Sequence, residues 1–196
     1  MPKTDYRSDR SSVMDGRGPP SDPNPSPLIE AMRILSLALS CLLLSASCGG
    51  SSDPSALASS GMEALRSGDH SAAESSFQQA LDAIGGDTSH PQYKRSMMGA
   101  IEARIHTDAG KAKDDFIALQ KALGDKITDK DFQSIANKMG GAGKFKEAIA
   151  LLTAGKEIFK DSATLDKLGA SLAKQAAAAG DSSATDALAG LGYVGD

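Results

Sequence analysis

Gly61-Met-Glu-Ala-Leu-Arg-Ser-Gly-Asp-His-Ser-Ala-Ala-Glu-Ser-Ser-Phe-Gln-Gln-Ala-Leu-Asp-Ala-Ile-Gly85 is the stretch whose reading decides the fold. Its apolar and small residues recur every three or four positions, the period of an amphipathic helix. Upstream, Asp53 is a natural N-cap with Pro54 at the first helical position, and Leu57, Gly61, Ala64 and Leu65 follow on one face. Gly68-Asp69 interrupts the period and offers Asp69 as a second cap. The next helix carries Ala73, Phe77, Ala80, Leu81 and Ile84 on one side, and Gly85-Gly86 ends it. The unit is a helix-turn-helix hairpin.

Working outward, the same pattern returns. Ala112, Phe116 and Leu119 repeat the spacing of the second helix, after a helix that begins near Ser89-His90-Pro91 and carries Met97, Ala100, Ile101 and Ile105. A third unit has Phe132, Ile135, Ala136 and Met139, then Gly143, Phe145, Ala148 and Leu152, with Thr128 and Asp131 forming a capping-box start. A fourth begins at Ser162 with Leu165, Leu168, Gly169 and Leu172, and Ala176 to Ala179 extend it to Gly180. A short closing helix from Ser182 to Leu188 leads into the tail that contains Tyr193 and Val194.

Gly61, Gly68, Ala73, Phe77 and Ala80 stand at the small, turn and aromatic signature places of the tetratricopeptide repeat, which this chain resembles; the hairpin has roughly the 34-residue length of that repeat. Gly143 to Leu152 is its most typical stretch. Leu57 replaces the usual tryptophan, Ala64 stands where an aromatic is expected, and Gly85 where a proline often does. The resemblance implies an all-α fold: a short right-handed superhelical array of three to four hairpins over residues 54–196, with the closing helix, Tyr193 and Val194 packing back as its end cap. It also implies a concave groove lined by the first helices, at Met62, Arg66, Lys94, Met97, Ile101, Arg104, Lys130, Gln133 and Asn137. Lys130 with Asn137 is similar to part of a clamp for a peptide's terminal carboxylate.

Ahead of the array, residues 1–31 are rich in proline, serine and charge, without apolar periodicity, and are expected to be a disordered extension or an over-extended start, with Met32 the true one. Residues 32–47 follow the grammar of a secretory signal: Arg33, an apolar run from Ile34 to Leu44, then small residues. The run is shorter than the roughly 20 residues that span a bilayer. Cys48 and its Gly-Gly-Ser-Ser sequel resemble a bacterial lipobox, although Ser45 stands where leucine is preferred. The expectation is lipidation at Cys48, a flexible tether over residues 48–53, and a cell-envelope location on the periplasmic side. A soluble exported form and an uncleaved signal anchor are the alternatives.

The chemistry suggested by composition is sparse. A net charge of -4, no basic block and no tryptophan speak against nucleic acid as a partner. The two cysteines, Cys41 and Cys48, both belong to the leader region, so the helical part has no thiol. His70, His90 and His106 are each isolated in sequence, Asp125, Asp129 and Asp131 lack the glycine and distant glutamate of a calcium loop, and Asp114-Asp115 reads as a solvated face. No metal, cofactor or catalytic constellation is expected. The reading is a non-enzymatic, membrane-anchored scaffold that binds a protein or peptide in the envelope. An enzyme or ligand carrier with an unreadable site, or a purely structural spacer, are the alternatives.

Overall fold

The computed structural model describes residues 53–194, which form eight α-helices and one short 3-10 turn. The expectations for residues 1–47, for Cys48 and for most of its tether lie outside the described residues. Helix α1 (Pro54–Ser67) starts where the Ser55 N–H donates to the Asp53 carboxylate at 3.0 Å. Gly68 ends it in the left-handed region, φ 79°. Asp69 then accepts from the Ala72 N–H at 2.9 Å and opens α2 (His70–Ile84). These local bonds satisfy orphan backbone groups at each end, as a tight hairpin requires.

The second hairpin starts later than the spacing predicts. Asp87 accepts from the backbone and hydroxyl of Ser89, and the Gln92 N–H donates to Nδ1 of His90 at 3.1 Å, so side chains engage these donors in a turn. Helix α3 therefore runs Tyr93–Thr107, and α4 runs Ala109–Leu123. Asp108 joins them, capping the Lys111 N–H at 2.9 Å. After the 3-10 turn Gly124–Lys126, Thr128 and Asp131 form the expected capping box on α5 (Asp129–Gly141), which pairs with α6 (Phe145–Ile158). Helix α7 (Ala163–Ala179) and α8 (Ser182–Gly190), capped by Ser162 and Asp181, complete the fold.

The helices pack in sequential pairs, and each pair also meets the next: α2 lies on α3, and α7 lies on both α5 and α6. The core is divided. A large cluster runs from Ile101 through Phe116, Phe132 and Leu152 to Leu188. A smaller one joins α1, α2 and α3 through Ala58, Ala73, Phe77, Ala80, Ala100 and Ala103. Phe77 is fully buried, and glycine makes room for it: a Cβ on Gly61 would stand 2.9 Å from its ring, and one on Gly99 2.3 Å. Phe116 and Phe132 cross edge to face at 4.8 Å between the second and third hairpins.

At the carboxyl end, Tyr193 covers Gly169, where a Cβ would lie 2.4 Å from the ring. Its partner in the expected cap, Val194, stays exposed, because the turn at Gly192 brings only one of these two neighbouring side chains onto α7. No helix among the described residues is long and apolar enough to cross a membrane.

Candidate functional site

The nine residues assigned to a groove divide into those the fold consumes and those it leaves available. Ile101 is fully buried in the large cluster, which corrects its assignment to a groove. Helix α3 is covered by the first hairpin as well as by α4 and α5, so little of its surface remains to line a groove. Met97 packs half-buried against the same cluster.

Arg104 is a strut between helices. Its guanidinium donates from Nε and Nη2 to Glu74 of α2, at 2.8 and 2.6 Å, and from Nη1 to Asp115 of α4. Only 12 % of the side chain is exposed. Burial works against its charge, but bonds to the two carboxylates prevail and hold it more firmly cationic than usual. Asp115, read as part of a solvated face, is thereby half-buried and paired, with Lys111 as a further partner at 3.0 Å.

Lys94 is likewise engaged. Its ammonium donates to the Lys126 carbonyl at 2.7 Å and to the Asp131 carboxylate at 2.8 Å, which ties the start of α3 to the start of α5. Burial pushes the Asp131 carboxyl up, but hydrogen bonds from Lys94 and Thr128 outweigh it and hold the group below its ordinary 3.8. A second tie follows one hairpin on: the Ser162 hydroxyl donates to Asp129 at 2.6 Å and, with Thr164, holds that carboxyl low. Arg66 is exposed and pairs with Glu63 on its own helix at 3.3 Å. Met62 leans half-buried on the small cluster.

Lys130, Gln133 and Asn137 remain. Their spacing on α5 puts them on one helical face. Lys130 is exposed, and the other two are half-buried. The amide oxygen of Asn137 is buried and accepts no hydrogen bond from the protein.

The spacing arguments missed one pair outright. His70, the first residue of α2, stacks on His106, in the last turn of α3, with ring centroids 3.7 Å apart and planes within 5°. Burial, then the neighbouring His70, holds His106 below its ordinary 6.5. Reading each histidine alone could not reveal this; the hairpin register, had it been applied to the turns, was the available signal.

The cavities are shallow surface features. One of about 390 Å³ lies against α2 beside Ser71, Glu74 and Gln78, and one of about 370 Å³ lies between the end of α5 and α7, among Gly140, Gly143 and Gln175. Among the described residues, no group of three or more histidine, cysteine, aspartate or glutamate side chains could hold a metal ion. Comparison of this chain with protein-family models, curated proteins and solved structures finds no match.

Proposed function

We propose that this chain is an envelope lipoprotein, anchored through acyl groups on Cys48, whose tetratricopeptide-like array of hairpins holds a protein or peptide partner without catalysing a reaction. The observation that carries the binding part is the α5 face. Lys130, Gln133 and Asn137 share that face and make no side-chain bond to other described residues, while the Asn137 oxygen is buried without a donor. An extended peptide supplies backbone N–H donors at regular intervals, and one of them would satisfy that oxygen. Seating of an aromatic ring over helix glycines, by Phe77 at Gly61 and Gly99 and by Tyr193 at Gly169, supports the repeat-like, superhelical reading.

The anchoring part rests on the order of residues in 32–52. A lipid fixed at Cys48 raises the domain's effective concentration for membrane neighbours, and stable anchoring takes more than one acyl chain. The test places a photocrosslinking residue at Gln133 and, as a control, at Gln79, which is exposed on α2, in the full chain in its native cells. A defined crosslinked partner is expected from position 133 alone, lost when Lys130→Ala and Asn137→Ala are added while the helical melt is unchanged. Equal crosslinking from both positions, or none from either, would remove the binding reading. Intact mass of the membrane-extracted protein should equal residues 48–196 plus acyl groups, and that form should vanish in Cys48→Ala.

A further inference from the structure

The first hairpin is held differently from the others. Helices α1 and α2 dock on α3 through the small cluster, whose buried members are Phe77 and five alanines, with Leu57, Met62, Leu65 and Leu81 of the first hairpin packed half-buried against them. The second, third and fourth hairpins share the large cluster. Burial of alanine contributes far less than burial of leucine or phenylalanine, so this seam opens at lower cost than the rest. The Glu74 bonds to Arg104 and the stack of His70 on His106 cross the same seam.

The charged groups around the stack are already committed. On α3, Glu102 precedes His106 by one turn and is paired with Lys138 of α5. Glu74 on α2 is held by Arg104, and on α1 Glu63 pairs with Arg66 at the surface. Asp69 and Asp108 cap the Ala72 and Lys111 N–H groups. Lys144, ahead of α6, adds positive potential at His106, which Glu102 opposes. Nδ1 of His70 is buried and has no partner. Two imidazolium rings at the stacking distance repel each other, and each of these carboxylates already has a partner.

We propose that the His70–His106 stack is an acid-sensitive clasp, which releases the first hairpin from α3 as the rings take up protons while α3 to α8 stay folded. The direction follows from linkage. A histidine held low in the closed form binds its proton more weakly there than in the open form. The clasp therefore stabilises the closed seam fully above about pH 6.5 and loses that contribution as pH falls through the lower, folded value.

Hydrogen exchange of the full chain, corrected for intrinsic rates and compared at about pH 7.5 and about pH 5.5, reads the seam directly. The expected result is a loss of protection in residues 58–84 with little change in residues 132–176, and no such loss in His70→Gln/His106→Gln. Equal loss in both segments, or an unchanged pH response in the double variant, overturns the proposal. Should that variant not fold, NMR titration of the wild-type histidine rings decides. Coupled, two-step curves for His70 and His106 support the clasp, and independent single steps overturn it.

Discussion

A methyl group added at Gly99 would meet the ring of Phe77 at 2.3 Å, and that ring is itself fully buried and has little room to yield. Gly99→Ala should therefore destabilise the domain by about 1–3 kcal/mol. Gly141, where a Cβ meets nothing within 4 Å, is the control: Gly141→Ala should be neutral or stabilising by up to about 1 kcal/mol. Urea unfolding followed by circular dichroism measures both, and equal effects would mean that Phe77 is not wedged as described. At this scale the sequence was only half legible. Phe77 and Gly61 announce themselves by spacing, because a helix face is a local property. Arg104 does not, since Glu74 lies 30 residues away along the chain, and Asp115 reaches it only across the α3–α4 hairpin. A charge flanked by Ala103 and Ile105 was the available hint that partners had to exist nearby.

Helix boundaries were more legible because caps are written within a few residues. Asp53, Asp69, Thr128 with Asp131, Ser162 and Gly180 all act where their positions predict. The exception is the approach to α3, where the Asp87 and His90 side chains hold a turn that no apolar period marks. Asp131 also shows how a cap gains a tertiary role, for it secures its own helix start and receives Lys94 from α3. Its carboxyl is held low in the folded protein, so its contribution is present above the ordinary 3.8 and is lost as pH falls through the lower folded value. Asp131→Asn should cost about 1 kcal/mol at neutral pH. The gap in melting temperature between wild type and variant should close below about pH 4; a gap independent of pH would show that the ion pair contributes nothing.

At the scale of the whole molecule, successive hairpins were legible and the divided core was not. Periodicity says which residues are buried, but not that Ala100 and Ala103 close one cluster while Ile101 and Ile105 open another from the same helix. The far end of the fold is closed by Tyr193, whose hydroxyl donates to Asp166 at 3.3 Å beside Lys156. Tyr193→Ala should lower stability by about 1–2 kcal/mol through lost ring packing, whereas Tyr193→Phe should change it by less than about 0.5 kcal/mol, since that hydrogen bond is long and exposed. The urea midpoints of the two variants test this, and a large cost for the phenylalanine variant would shift the weight from packing to the hydroxyl.

The same tyrosine gives the protein an optical signal of its own. With no tryptophan and three tyrosines in the chain, ultraviolet emission comes from tyrosine alone, with no indole to draw off the excitation. A phenol bonded to a carboxylate emits weakly, so Tyr193 is dim while it covers Gly169 and brightens when the tail lifts away. Fraying of the carboxyl end can therefore be timed in the unlabelled protein, separately from events in the first hairpin, which contains no tyrosine.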